Sequence, residues 1–256
     1  MQLSIVMPVY NERDTIARVL PLVASSLQGV GKQLIIIDDC SKDGTREWLT
    51  DRFSDTPRAV GELSLDANAE LVIGSADCPE LTIELVLHEH NQGKGAALRT
   101  GFALVRGDVI VIQDADLEYD PADWTGMWAL IAERRVADVV YGSRFFGRPH
   151  RSLLFHHYLG NRIISTLFDI LYNQLLTDIE VCYKMFTREV LESLRLSAND
   201  FGFEVQFSAQ VALARRWRIY ELGISYYGRT FEEGKKINWR DGIKALWYLL
   251  RFRFGG

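Results

Sequence analysis

Several familiar signatures are missing from this 256-residue chain, and each absence removes a class of function. It has only three cysteines, Cys40, Cys78 and Cys182. They form no CxxC pair and no metal-finger spacing, which excludes a disulfide framework or zinc module and fits small buried thiols in a reducing, cytosolic compartment. The N-terminus, MQLSIVMPVYNE, lacks a basic region followed by a long apolar segment, so it reads as a first strand and secretion is not expected. No window holds the roughly 18 uncharged apolar residues a spanning helix needs, so the chain is not expected to cross a membrane by itself. HExxH, GxGxxG and GxxxxGK[ST] are absent as well, which disfavours a zinc hydrolase, a dinucleotide site and a P-loop ATPase. There is no Ser-His-Asp order worth defending, no internal repeat and no low-complexity segment.

What is present is an ordinary globular composition, 48% hydrophobic, enough for one large α/β domain or two small ones. Net charge is −5, but residues 1–128 hold 10 Lys/Arg against 21 Asp/Glu and residues 129–256 hold 19 against 13, that is −11 beside +6. An acidic half able to hold a metal beside a basic half able to hold phosphates suits anionic substrates. No nucleic-acid partner is expected.

The runs LSIVMPV, QLIIID, LTIELVL, DVIVIQD and ADVVYGS are short, rich in Val and Ile, and alternate with helical patterns over residues 12–28, 43–53 and 94–106. That rhythm predicts a mostly parallel sheet in a doubly wound α/β unit. Residues 54–81 interrupt it with Pro, Gly, Asp and Ala and read as an insertion, with a small strand at ELVIG. The second half predicts a long helix over about 152–176, strands at VCYKMF and RIYELGISYYG, a helix at GFEVQFSAQVALARRW and a closing amphipathic helix. His156 and His157 are adjacent on a helix, so their side chains diverge and cannot chelate one metal.

The segment VIVIQDADLEYDP carries the chemistry. Asp114 and Asp116 follow a strand end, at the carboxyl edge where open α/β sheets bind ligands. A D-x-D there can direct two carboxylates at one hard cation, Mg²⁺ or Mn²⁺, whose remaining positions take water and phosphate oxygens. Glu118 is either a third ligand or a solvent-facing neighbour. Asp120 belongs to the turn before Pro121. MPVYNE and IIIDDCSKDGT end the first two strands on the same edge, where Asp39 could accept hydrogen bonds from a base or ribose and Tyr10 could lie against the base. HNQGKGAALRTGF flanks Lys94 with glycines ahead of a helix, a pattern that suits an anion or a tight strand-to-helix turn. Ser143 and Arg144 in YGSRF, and Arg229, Lys235 and Lys236 in YGRTFEEGKKINWR, supply phosphate-binding groups.

Taken in order, MPVYNE, IIIDDCSKDGT, NQGKGAALRTGF, QDADLEYDP, YGSRF, TDIEVCYKMF, GFEVQFSAQVA and YYGRTFEEGKKINWRDG resemble family 2 glycosyltransferases of the GT-A fold, especially the dolichol- or polyprenyl-phosphate mannose and glucose synthases. The match leaves out only residues 54–81. The resemblance implies a catalytic domain over 1–236, with an acceptor side at about 142–236, and a C-terminal amphipathic helix over 237–256. It implies a nucleotide site lined by Pro8, Tyr10, Glu12, Asp39 and Lys94, with Ala115 touching the nucleotide through its backbone. Asp114 and Asp116 would bind diphosphate and metal, joined by Glu118, where some relatives have Gln. Ser143, Arg144, Arg229, Lys235 and Lys236 would handle phosphates, and Asp116, Arg229 and Lys235 would carry catalysis. The spacing in RTFEEGKK departs from the shorter Ser-Lys spacing of the mannose synthases.

The implied reaction moves a hexose from GDP-mannose or UDP-glucose to a polyprenyl phosphate. A phosphate monoester is already largely dianionic at pH 7, its second pKa being about 6, and needs no general base. The Q-x-x-R-W pattern of processive polysaccharide synthases is absent. The expected place is cytoplasmic, on the inner face of the membrane, bound peripherally through the 152–176 and closing helices, with room for a membrane-protein partner. A second reading keeps the donor and transfers to a glycan or small-molecule hydroxyl, with Asp178 or Glu204 as base. A third is a non-catalytic nucleotide-sugar binding subunit.

Overall fold

The computed structural model describes residues 1–53, 58–60, 62–65, 71–74, 81–146, 151, 155–229 and 239–255. Its strands are β1 (Leu3–Val9), β2 (Lys32–Asp38), β3 (Arg58–Val60), β4 (Glu62–Leu65), β5 (Leu71–Gly74), β6 (Leu81–Leu87), β7 (Val109–Ile112), β8 (Val139–Ser143), β9 (Lys184–Thr187) and β10 (Ile219–Gly223). Helices are α1 (Arg13–Ser25), α2 (Thr45–Phe53), α3 (Lys94–Phe102), α4 (Trp124–Trp128), α5 (Phe155–Tyr172), α6 (Arg188–Ser193), α7 (Gly202–Ala214) and α8 (Trp239–Phe254).

Eight strands form one sheet in the order β10-β8-β9-β7-β1-β2-β6-β3, and β4 pairs with β5 in a separate hairpin. Within the large sheet only β9 and the edge strand β3 run against the rest. All positions of β2, β7 and β8 are buried, as are all but Pro8 in β1. A strand with no solvent face must be covered on both sides by helices, which is why these segments read as continuous Val/Ile runs and not as alternating patterns. The five apolar runs LSIVMPV, QLIIID, LTIELVL, DVIVIQD and ADVVYGS all became strands. The expected insertion contains β3, which extends the sheet edge antiparallel to β6, and the β4–β5 hairpin, in which ELVIG supplies β5.

The helices pack through faces of unequal character. Gly101 of α3 lies where an added Cβ would come within 2.4 Å of the Val6 side chain and 2.7 Å of Ile37, so a glycine lets α3 settle onto β1 and β2. On α5, Asn161, Ile164, Ser165, Phe168 and Tyr172 face inward at helical spacing, while Phe155, Leu159, Ile163 and Ile170 are exposed. On α8, Ala245 and Leu249 face inward, whereas Ile243, Trp247, Leu250 and Phe254 are exposed. The two helices are tied together: the Tyr172 hydroxyl donates to the Leu249 carbonyl at 2.8 Å, and Arg253 Nε donates to the Leu171 carbonyl at 2.8 Å. Among the described residues no helix is long and apolar enough to cross a membrane.

Candidate active site

The chain leaves β1 to one side, through α1, β2, α2 and β6, and then returns through α3 to β7 on the other side of β1. A crevice opens at such a reversal, beyond the carboxyl ends of β1 and β7, and it is where sheets of this kind take ligands. Tyr10 and Glu12 follow β1 and Asp39 follows β2. Asp114, Ala115, Asp116 and Glu118 follow β7, and Ser143 ends β8 with Arg144 just beyond. These strands are parallel, so their ends meet on one edge.

Arg229 lies at the centre of the acidic side. Its Nη1 and Nη2 donate to the two Glu12 carboxylate oxygens at 3.1 and 3.2 Å, and Nη2 also reaches Asp116 Oδ2 at 3.1 Å. Glu118 accepts from the Tyr226 hydroxyl at 2.8 Å and from the Arg229 backbone N–H at 2.8 Å. Leu117 holds a left-handed conformation, φ 61°, which turns the chain so that the Glu118 N–H donates to Asp116 Oδ1 at 3.0 Å. A bridge between Tyr119 and Tyr226 and the bond from the Tyr227 N–H to the Glu118 carbonyl then join this turn to the 226–229 segment. Glu118 is therefore turned neither to solvent nor into a ligand trio; it fastens the segment that delivers Arg229.

Burial, reinforced by the neighbouring Asp114 and Glu118 and opposed by Arg229, pushes the Asp116 carboxyl up to about 7. Three carboxylates here (Glu12, Asp116, Glu118) share one guanidinium, so negative charge is in excess even with Asp116 part-protonated. Arg229 Nε is buried without a hydrogen-bond acceptor among the described residues, Glu118 Oε1 being 3.5 Å away.

Asp114 is held by Lys94, with Nζ 2.7 and 2.9 Å from its two oxygens. Burial works against the Lys94 charge, yet Asp114, Cys182 and Glu204 beside it hold its pKa well above the ordinary lysine value. The glycines around Lys94 serve the protein's own backbone. The N–H groups of Gly95 and Ala96 donate to the Asn199 carbonyl at 2.8 and 3.2 Å, and Cβ atoms at Gly93 and Gly95 would fall 2.5 and 2.4 Å from the Asn199 and Ala198 carbonyl oxygens. Of the two options for this loop, the tight turn is the observed one, and the start of α3 is occupied by a carbonyl and not open to an anion. Asp39 is similarly engaged. It accepts from the Gln92 and Gly93 N–H groups at 2.9 and 2.8 Å and lies 2.8 Å from His88 Nδ1, fixing the loop that carries Lys94.

On the other flank Arg144 makes a two-pronged pair with Asp178, Nε to Oδ2 at 2.6 Å and Nη2 to Oδ1 at 2.7 Å. Asn161 of α5 donates to Asp178 Oδ1 at 2.7 Å. Asp178 has no exposed surface; burial works against its charge, but Arg144 and Asn161 keep its carboxyl below the usual range. Arg144 also lies over the Tyr226 ring, 5.4 Å from its centroid. Ser143 is buried, its hydroxyl 2.6 Å from that of Thr177. Glu204 is buried and pairs with Lys184. Lys235 and Lys236 lie outside the described residues, as do the side chains of His156 and His157.

Sequence reading gave no role to Tyr226 or Asn161. Tyr226 bonds Glu118 across 108 positions and Asn161 bonds Asp178 across 17, and neither stands in a pattern that would mark it. Among the described residues no three His, Cys, Asp or Glu side chains form a ready cage for a metal. The donor set nonetheless fits a hard divalent cation held by Asp114 and Asp116: such ions commonly take one or two carboxylates and complete their shell with water and phosphate oxygens, and the net negative charge around Arg229 favours a cation there.

Comparisons with known proteins agree with this geometry. The family model described as Glycosyl transferase family 2 matches residues 4–60 and 74–195. The chain is 29% identical to Glycosyltransferase AglJ of Haloferax volcanii over 93% of its own length and 67% of that protein's. It is 26% identical to an undecaprenyl-phosphate mannosyltransferase of Micrococcus luteus over the whole length of both. Among solved structures, glucosyl-3-phosphoglycerate synthase from Mycobacterium tuberculosis, crystallised with Mn²⁺, UDP and phosphoglyceric acid, superposes with a TM-score of 0.69 at 18% identity, over 99% of this chain and 78% of that one; that likeness speaks to the fold alone. With the family model covering well over half of the chain and the carboxyl-edge crevice carrying its acidic and basic groups, the chain belongs to glycosyl transferase family 2 and is a glycosyltransferase of the GT-A fold.

Proposed function

We propose that this enzyme moves a hexose from a nucleotide sugar, GDP-mannose or UDP-glucose, to a polyprenyl or dolichyl phosphate, by one in-line displacement with inversion and with Mg²⁺ or Mn²⁺. The observation that carries the acceptor is a juxtaposition on α5. The helix that exposes Phe155, Leu159, Ile163 and Ile170 uses its inner face, through Asn161, to hold the Asp178–Arg144 pair. A lipid phosphate needs a cation for its head beside an apolar surface for its chain; α5 supplies the apolar surface and, through Asn161 and Asp178, buttresses Arg144 as the cation. The exposed apolar residues of α8, with Lys244 and Arg251 on the same helix, extend that surface and suit docking on the inner face of an anionic membrane. The names of the relatives point the same way.

On the donor side Asp114 and Asp116 would hold the metal, which when bound neutralises charge on the diphosphate leaving group. Arg229, with a buried N–H that has no acceptor among the described residues, is poised to take a phosphate oxygen and to stabilise charge as it develops. Tyr10 and Pro8 border the nucleotide end of the crevice, and Ala115, buried between the two aspartates, offers its backbone. Asp39 acts by fixing the loop beneath. Glu118 positions Arg229, and Arg144 receives the acceptor phosphate. Asp178 and Glu204, the carboxylates a hydroxyl acceptor would use as base, are both locked in buried ion pairs, which favours an acceptor that arrives already ionised.

The test is a donor screen by thermal shift with Mn²⁺ or Mg²⁺, followed by a product assay on the winning donor. Formation of a polyprenyl-phosphate hexose is the expected result. Turnover with glycan or small-molecule hydroxyl acceptors and none with polyprenyl phosphate sinks the reading.

A further inference from the structure

From Asp178 to Phe186 every residue but Glu180 is buried, and Glu180 is only partly so. Its neighbours two positions away mark the two flanks of the site. Asp178 holds Arg144, on the acceptor side. Cys182 has its thiol against Lys94, which holds Asp114 on the diphosphate side. The charges that act on Glu180 come from both flanks, Arg144 on one side and, on the other, Glu204, whose carboxylate lies 3.9 Å from Lys94 Nζ, which sets Glu180 in the interval between them. An in-line displacement requires the migrating carbon to lie between attacking and departing oxygens, so this interval is where the transferred sugar belongs; the placement rests on the reaction proposed above.

Among the described residues the charges around Glu180 leave it without a partner. Those facing it are Arg144 beyond β8, Asp178 from its own segment, Lys184 from β9 and Glu204 from α7. Arg144 is paired with Asp178 and Lys184 with Glu204. Glu180 makes no hydrogen bond or ion pair with any described residue. Burial, opposed by Arg144 and reinforced by Asp178 and Glu204, brings its carboxyl to about 7. A group in that state both donates and accepts hydrogen bonds, which suits a sugar hydroxyl, itself a donor and an acceptor. We propose that Glu180 is a specificity residue that binds a hydroxyl of the transferred hexose from the floor of the crevice.

A site built to bind a hydroxyl discriminates strongly against an analogue lacking it, because its own polar group is left unpaired. The experiment measures binding of UDP, GDP, UDP-glucose, GDP-mannose and the 2-, 3-, 4- and 6-deoxy forms of both donors, in Mn²⁺, to wild type, Glu180→Ala and Glu180→Gln. In wild type the intact donor is expected to bind tighter than its bare nucleotide, and one deoxy position to lose about tenfold or more in affinity. Glu180→Ala should reduce that discrimination to within about twofold while leaving affinity for the bare nucleotide unchanged. Glu180→Gln, nearly isosteric, should keep part of it and serves if the alanine variant folds poorly.

Discrimination that survives in both variants overturns the proposal, as does a wild type that binds nucleotide sugars no better than bare nucleotides. Normal donor discrimination in Glu180→Gln with turnover abolished at every pH would make Glu180 a general base, sinking both this assignment and the phosphate acceptor. Discrimination lost with Glu180 in an enzyme that glycosylates only hydroxyl acceptors supports the assignment and sinks the acceptor reading alone.

Discussion

Arg229 is the residue on which the acidic side of the crevice depends, because three carboxylates lean on one guanidinium. Removing one partner from a buried ionic cluster costs more than the cluster contributes, since the remaining charges stay desolvated. Arg229→Ala should therefore lower stability by about 2–4 kcal/mol in chelator and recover part of that loss in Mn²⁺, as read by thermal melts; kcat should fall by about 100-fold or more. Asp116 gives the complementary prediction. Its folded-state pKa, about 7, is raised above the ordinary 3.8, so its ionisation opposes folding and the penalty grows as pH rises from about 4 to about 7. Without metal, Asp116→Asn should match wild type only near pH 4 and below and exceed it increasingly as pH rises, by about 4 kcal/mol at pH 8, while Mn²⁺ raises the melting temperature of wild type only. A variant no more stable than wild type at pH 8 contradicts this. The D-x-D was legible because both members follow a strand end in sequence. The job of Glu118 was not legible, because its partners Tyr226 and Arg229 lie more than 100 positions away.

At the level of elements, the strands were the easiest part to read. A strand buried on both faces is mostly apolar, so β1, β2, β7 and β8 announced themselves as short Val/Ile runs, while β6, only partly buried, showed through the apolar positions of LTIELVL. The glycine loop before α3 was harder, since ligand approach and backbone approach ask for the same residue. Only the fold shows that the 198–200 segment comes within bonding distance of Gly95 and Ala96. Gly95→Ala places a Cβ 2.4 Å from a carbonyl oxygen that belongs to backbone and cannot swing away. It should cost about 2–3 kcal/mol in a denaturation experiment and weaken donor binding by shifting Lys94; an unchanged midpoint would show that the segment yields freely. The same segment meets α8, where the Tyr248 hydroxyl donates to Asp200 Oδ1 at 3.0 Å.

For the molecule as a whole, the feature of consequence is the apolar surface shared by α5 and α8. Single exposed apolar residues are ordinary, but two adjoining helices that each expose several large ones mark an interaction face. Replacing Ile170 and Trp247 together by Glu should cut sedimentation with anionic lipid vesicles several-fold and lower turnover with membrane-embedded polyprenyl phosphate. Binding of the soluble donor should be unaffected; equal vesicle binding by the double variant would refute the docking face.

The sequence by itself determined the sheet, the acidic and basic halves and the D-x-D at the carboxyl edge, because each depends on residues close along the chain or on the period of a single element. Tertiary structure decided which charged groups pair: Arg229 with Glu12 and Asp116, Arg144 with Asp178, Lys94 with Asp114. Pairing energies depend on distance and burial across segments remote in sequence, and no local pattern encodes either. By the same reasoning Glu180 stood unremarked within TDIEVCYK until the fold brought Arg144 and Glu204 to either side of it.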